Sequence, residues 1–372
     1  MSTVLPIAEP KNWDSENLPS FPANLRTREF TRNAASWNHD ALVDTIMEAQ
    51  SAQVGVVTLP PGPIFIKLID GLPILRNTKI RGHGTGVRQD DLHSGSTLIA
   101  YDSSPAMLTS NDFTVDNVDL RDFTLETNGN MIGVMIDMPC QHSRIENIAI
   151  QGERKAQIGL RIQRLEHPTW VNWVRACHIR QCEIGFHNYG SDSHFLNNYF
   201  NANLVNMIEE GGGGTEIAGN MFDVSISALS RFEGIGHGLI LQKPSHAPGG
   251  TTVLGNYFHF NDRAILVRGI DGQAFEVGHI IADNRFIGNL DTDIRIEDAC
   301  KWKVHDNTHF GNRAGAKFGM SFHNVAYGLI HDESYDHNYV KHFGDRIKEH
   351  IIARDCYIWP RGVTPAPPIP ID

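Results

Sequence analysis

One short unit, a turn residue followed by an aromatic or apolar strand, recurs through the stretch from Cys182 to Asn307. It appears as Asn198-Tyr199-Phe200, Gly219-Asn220-Met221-Phe222, Gly255-Asn256-Tyr257-Phe258, Asp283-Asn284-Arg285-Phe286 and Asp306-Asn307. The asparagines lie 22, 36, 28 and 23 residues apart. An imperfect period of about 20 to 40 residues, built from β-formers and Gly/Asn turns, specifies a solenoid. Asparagine suits the corners because its short amide tolerates a left-handed backbone, and stacked asparagines can hydrogen-bond to one another in a ladder. The Tyr, Phe, Ile and Val that follow are expected to point inward and stack on the coil below.

A chain of 372 residues exceeds the usual single-core size, but a solenoid grows along its axis and escapes that limit. The formal net charge of −11, from 32 Lys+Arg against 43 Asp+Glu, and the lack of a basic run argue against a phosphate-tracking nucleic-acid surface. Five cysteines, Cys140, Cys177, Cys182, Cys300 and Cys356, form no CxxC pair and read as buried free thiols. The N-terminus lacks the charged and apolar regions of a signal peptide, and no apolar run approaches the roughly 20 residues that span a bilayer. The expectation is a soluble protein, cytoplasmic or released without a visible signal.

Residues 1–35 are polar and Pro-rich and read as an extended arm; residues 36–358 read as the solenoid, and 359–372 as a Pro-rich tail able to lie along another subunit. Ala41, Leu42, Ile46 and Met47 fall at helical spacing and predict an amphipathic helix from Ser36 to about Gln50, capping the open end. Strands are expected at Val54–Leu59, Val115–Phe123, Ile132–Ile136, Ser143–Ile150, Ile158–Ile162 and Val174–Ile179, with the repeat fading after Asn307.

The order of helix, apolar strand, Pro60-Pro61-Gly62, Thr78-Lys79-Ile80-Arg81-Gly82-His83-Gly84-Thr85-Gly86 and Ser96-Thr97-Leu98-Ile99 resembles the N-terminal end of the pectate-lyase-like superfamily. That resemblance, over about residues 36–340, implies an all-β, single-stranded right-handed parallel β-helix with an N-terminal capping helix. It leaves function open, because the superfamily holds polysaccharide lyases, glycoside hydrolases, epimerases and phage tailspikes. Within it, the Gly-His-Gly turn, Arg121-Asp122-Phe123-Thr124-Leu125 and the Gly-Asn coils near 219 and 255 are most similar to inulin fructotransferases and difructose dianhydride hydrolases. That family implies a homotrimer with active sites between subunits and an Asp and a Glu in one coil. At the corresponding positions this chain has His237-Gly238-Leu239-Ile240 and Lys243-Pro244-Ser245-His246, so the two roles do not transfer residue by residue.

The longest step of the repeat, 220 to 256, and the Glu209-Glu210 pair before it hold the candidate chemistry. Glu210, Asp223 and Glu233 are the carboxylates expected on one side of neighbouring coils, where a pair could serve as acid and as base or nucleophile at a glycosidic bond. Glu209 and Glu210 should point to opposite faces of a strand. His237 joins the catalytic candidates; Trp170 and Trp173 are candidate sugar-stacking platforms, and Lys243, His246 and Arg263 candidate substrate contacts. If the substrate is a uronate, His237, Lys243 or Arg263 becomes the base beside its carboxyl group.

Gly211 to Gly214 precede no Lys-Ser/Thr and read as a tight corner, not a phosphate loop. His331, Asp332, Asp336, His337, His342 and His350 show no tight two-histidine spacing, and Asp112, Asp116, Asp119 and Asp122 define no calcium loop. No cofactor or metal is assigned. The expected function is cleavage or transfer of glycosyl units, fructosyl among them, by paired carboxylates in a groove between subunits, with an oligo- or polysaccharide as partner. The alternatives are a lyase or epimerase acting on uronate-containing glycans and a non-catalytic tailspike-like β-helix.

Overall fold

The computed structural model describes residues 35–51, 56–68, 71–85, 95–110, 115–162, 169–211, 213–225, 233–242, 249–269, 275–311 and 318–336, and the backbone of 341–343, 347–349, 352–354, 357–359 and 369–370. Apart from one helix the regular elements among these residues are strands, nearly all paired in parallel, and the chain is a parallel β-solenoid. Two compact units divide it, Met1–Cys182 and Glu183–Asp372. Among the described residues no helix is long and apolar enough to cross a membrane.

In the first unit, helix α1 (Ala35–Ser51) packs on strands Gly62–Ile66 and Leu72–Pro73, burying Ala41, Leu42, Ile46 and Ala49. Asn38 Nδ2 donates to the Phe65 carbonyl at 2.8 Å, tying helix to sheet. Met47, expected on the apolar face, is 50% exposed; it lies one residue beyond Ile46, 100° round the helix. Gly62–Ile66 pairs with Ser96–Ala100, and Asp119–Glu126 pairs with Lys79–Arg81 on one side and Arg144–Ile162 on the other. Arg144–Ile162 is one strand where two were expected, bent at Glu153 and Arg154, whose φ values are 47° and 63°.

In the second unit each coil contributes three strands. The first row runs His194–Leu196, Glu216–Ala218, Thr252–Leu254, Ile280–Ala282, Lys303–His305 and Leu329–His331. The second row runs Tyr199–Asn201, Met221–Asp223, Tyr257–His259, Arg285–Ile287, Thr308–Phe310 and Ser334–Asp336. The third includes Val205–Glu209, His237–Gln242, Arg263–Arg268, Thr292–Glu297 and Phe318–His323.

The repeated asparagines stand at the corner between the first two rows and are all but fully buried. Each Oδ1 accepts from the backbone N and the Nδ2 of the asparagine one coil earlier, at 2.8–3.0 Å, from Asn198–Asn220 through to Asn284–Asn307. The ladder exists as expected, but the left-handed backbone does not fall on it. The preceding residue takes that conformation: Asn197, Gly219, Gly255, Asp283, Asp306 and Asp332, with φ between 53° and 64°. The ladder amide is then free to point along the axis.

The repeat also extends past Asn307. Glu333 takes the next asparagine's place, its Oε1 accepting from Asn307 N and Nδ2 at 3.1 and 2.8 Å. Inside the second row, Phe200, Phe222, Phe258 and Phe286 stack with centroids 4.7–5.2 Å apart, and the stack continues through His309 to Tyr335 at 4.8 and 4.3 Å.

A second run of amides at the next corner, Asn261 to Asn289, ends with Asn289 Nδ2 donating to Asp293 Oδ1 at 2.8 Å. His309 joins the two ladder ends: Nδ1 meets Asp293 Oδ2 at 2.9 Å and Nε2 meets Glu333 Oε2 at 2.7 Å, all three side chains being fully buried. Burial lowers the imidazole pKa, but the hydrogen bonds to Asp293 and Glu333 outweigh it and hold the ring charged up to about 9.

The tail expected to lie along another subunit places Ile369–Pro370, the part of it that is described, antiparallel on Tyr357–Trp359 of its own chain. The rest of the tail and the N-terminal arm lie outside the described residues.

Two outcomes follow for stability. Asn256→Ala removes the acceptor of two buried donors and should cost about 3 kcal/mol, read as a lower urea midpoint. The folded pKa of His309 exceeds the ordinary 6.5, so its contribution is complete below pH 6.5 and is lost as pH rises through about 9. Histidine-ring NMR should show one imidazole titrating near pH 9, absent in His309→Phe, and that variant should lose about 3–5 kcal/mol because two buried carboxylates lose their partner.

Candidate functional site

Because the aromatic residue of each second-row strand points inward, its two neighbours on that strand point outward. The register sets these outward positions in two columns, Tyr199, Met221, Tyr257 and Arg285 in one and Asn201, Asp223, His259 and Ile287 in the other. A connected polar cluster results. Asp223 Oδ2 accepts from the Tyr199 hydroxyl at 2.9 Å and from Asn201 Nδ2 at 3.0 Å, and Asn201 Nδ2 also donates to the Tyr199 oxygen at 2.7 Å. Asp223 Oδ1 lies 2.9 Å from His259 Nδ1.

Asp223 is nearly buried, with 10% of its side chain accessible, whereas His259 keeps 26%. An ionised carboxylate only accepts, so the hydrogen bond assigns the proton of neutral His259 to Nδ1 and leaves the lone pair on Nε2. This is the tautomer of a general base oriented by a carboxylate.

Around it, the Tyr257 ring lies 5.6 Å and the Phe260 ring 4.0 Å from the imidazole, and exposed Arg285 follows Tyr257 in its column. Phe260, 40% exposed, lies over Gly288, where a Cβ would come within 2.6 Å of its ring. Phe310, 42% exposed, pairs with Ile287 in the next coil. The face therefore combines an acid–base cluster, a cation and apolar surface.

Of the expected catalytic residues, only Asp223 belongs to this cluster. Glu209 and Glu210 do point to opposite faces. Buried Glu209 accepts from Asn188 Nδ2 at 2.7 Å, and burial pushes its carboxyl up to about 8. Half-buried Glu210 meets His187 Nε2 at 2.9 Å and accepts from Gln242 Nε2 at 3.4 Å, while His187 stacks on Tyr189 at 4.1 Å.

That second cluster belongs to the third row, so the structure does not set Glu210 beside Asp223 as expected; two corners and a first-row strand separate them in the chain. Glu233 is exposed in the bend before His237–Gln242. His237 starts that strand opposite Val205, at the far end from Glu210. Burial, helped by Arg263, lowers its pKa to about 4, so it is neutral at physiological pH. Arg263 is held by Asp291, Nε to Oδ2 at 2.9 Å.

Trp170, 38% exposed, and half-buried Trp173 belong to the first unit, while the Asp223 face is built wholly from the second. Lys243 and His246 lie outside the described residues. Gly213 and Gly214 take left-handed φ values of 109° and 69° and form the expected corner. Asp119 pairs with Arg121, and Asp116 lies 3.4 Å from Arg76, so these acids are engaged by arginines.

Tyr199, Asn201, His259 and Arg285 are missed when the insertions alone are searched. The repeat carries the signal: the residues before and after each inward aromatic, Tyr199/Asn201, Met221/Asp223, Tyr257/His259 and Arg285/Ile287, are the outward ones.

No protein-family profile and no curated protein matches this sequence. Solved structures do match in fold. The A-module of Azotobacter vinelandii mannuronan C-5 epimerase AlgE4 superposes with a TM-score of 0.56 at 15% identity, covering 85% of this chain and 95% of that one. The AlgE6 A-module gives 0.60 at 14%, covering 86% and 94%. A mutant tailspike protein of E. coli bacteriophage HK620, in complex with pentasaccharide, gives 0.62 at 10% identity, covering 86% of this chain and 61% of its own. These show that the chain shares the right-handed β-helix fold. Its resemblance to fructotransferases receives no specific support from them.

The tautomer is directly measurable. Long-range ¹⁵N–¹H NMR should find His259 protonated on Nδ1, and Asp223→Asn should shift the ring toward the Nε2-protonated form; a wild-type ring protonated on Nε2 would contradict the geometry.

Proposed function

We propose that this protein is a carbohydrate-active enzyme that transfers a proton at the carbon beside a uronate carboxyl group in an acidic polysaccharide. The observation carrying the reading is the Tyr199–Asp223–His259 hydrogen-bonded cluster on an outer strand face, with Arg285 beside it. The fold likeness to mannuronan epimerase modules and to a pentasaccharide-binding tailspike supports a glycan as partner.

Arg285 would pair with the uronate carboxylate and lower the cost of the anion formed next to it. His259 Nε2 takes the carbon-bound proton, and Asp223 stabilises the resulting imidazolium. The electron pair stays on the carboxyl-conjugated anion until the Tyr199 hydroxyl delivers a proton. Asn201, already donating to the tyrosine oxygen at 2.7 Å, stabilises the phenolate left behind. Delivery to the opposite face of the same carbon inverts it; delivery to the glycosidic oxygen, as its bond breaks, gives elimination. Paired-carboxylate hydrolysis is less favoured, because Glu210 and Asp223 belong to different rows. Exposed Leu254, Phe260, Leu290 and Phe310 support homotrimer assembly as part of the same proposal, which light scattering tests.

A proton NMR time course with polymannuronate and pectate, run in deuterated water, should show either deuterium replacing the ring proton beside the carboxyl group, for inversion, or vinyl signals, for elimination. His259→Gln and Tyr199→Phe should each lower kcat by about 10²–10⁴-fold at unchanged thermal midpoint, Arg285→Ala should act mainly on KM, and Glu210→Gln should remain active. Full activity in His259→Gln would overturn this reading, and new anomeric signals with neither ring deuteration nor vinyl signals would replace it with hydrolysis.

A further inference from the structure

In two successive coils of the first row the chain repeats a His-Asp pair, His305-Asp306 and His331-Asp332. The spacing of 26 residues looks meaningless in sequence, but the register makes His305 and His331 direct partners on adjacent parallel strands. Both point outward, since Val304 and Ile330 on the same strands are buried. Their rings stack with centroids 4.7 Å apart and an interplanar angle of 4°.

Each ring is oriented in the same way. His305 Nδ1 lies 2.7 Å from Asp306 Oδ2, and His331 Nδ1 lies 2.9 Å from Asp332 Oδ2. A carboxylate on Nδ1 orients the ring and leaves the Nε2 lone pair available, as in carboxylate–histidine–metal arrangements. Both aspartates adopt the left-handed corner conformation, with φ of 57° and 53°, so the corner that builds the Asn307 and Glu333 ladder also sets the carboxylates.

We infer that His305, His331 and Asp306 form a surface binding site for a late first-row divalent cation, best matched by Zn²⁺. One donor atom from each of these three residues lies within 4.8 Å of the others. Tetrahedral zinc needs donors roughly 3.3 Å apart, a closure that rotation of partly exposed side chains supplies. Imidazole nitrogen selects zinc, copper or nickel over calcium and magnesium. The two imidazole Nε2 atoms and water complete four-coordination, and Asp306 and Asp332, on the Nδ1 atoms, balance the charge of the ion. No proton or electron is exchanged when the rings are neutral. The site is separate from the Asp223 face, which is on the second row.

The test uses full-length protein stripped of metal and titrated calorimetrically with ZnSO₄ at pH 7.5. Saturable binding is expected, with His305→Asn and His331→Asn each weakening it at least ten-fold, while His194→Asn, at a half-buried first-row histidine paired with Glu216, binds as wild type. Ring NMR of the wild-type protein should show zinc-dependent shifts at Nε2 of both His305 and His331, a readout independent of any variant's folding. Unsaturable binding, wild-type affinity in the double variant, or shifts at other imidazoles would overturn the site.

Discussion

The hydrogen bond from one buried asparagine to the next is what the second unit is arranged around. A coil that turns from one strand row to another must leave backbone N–H groups unpaired by any strand, and in a dry interior each costs as much as a lost hydrogen bond. The Oδ1 of the asparagine in the following coil receives that N–H together with a side-chain N–H. The corner is thereby satisfied along the axis, and the strands on either side are held in register. The aromatic stack follows, because a ladder with fixed spacing sets each inward ring above its neighbour.

This arrangement also makes the candidate site. Once the ring in Asn-x-aromatic is committed to the core, its flanking residues must stand outward in straight columns. Chemistry can then be assembled one residue per coil: a tyrosine and an asparagine from one, an aspartate from the next, a histidine from the third and an arginine from the fourth. The scaffold is rigid at these positions because the opposite face of each strand is locked by stacking. A cluster built this way needs no deep pocket.

Much of the fold is legible in the sequence because asparagine and phenylalanine recur as themselves. The repeat becomes hard to see where Glu333 replaces the asparagine and His309 replaces the phenylalanine, although the geometry continues unchanged. Periodic reading follows identity, while the coil needs only an acceptor at one position and a flat ring at another. The backbone role assigned to the asparagines is displaced by one residue for a similar reason: both members of each Asp-Asn or Gly-Asn pair tolerate a left-handed turn, and only the ladder decides which takes it. Asp223 is found from its sequence alone, but its partners are not. His259 lies 36 residues away, and attention to the insertion between them hides that both occupy equivalent places in the repeat. Glu210 and Asp223, close in the chain, are sent to different rows by the corner that begins at Gly211.

A stack of nearly identical coils has a weakness: sliding one part past another by a whole coil exchanges like for like. Phe222 above Phe258 differs little from Phe222 above Phe286. The buried Asp293–His309–Glu333 group breaks that degeneracy. In any shifted pairing a phenylalanine would meet two buried carboxylates and the imidazolium would meet none. One charged ring in a column of neutral ones thus serves as an index mark, giving an otherwise self-similar chain a single correct alignment.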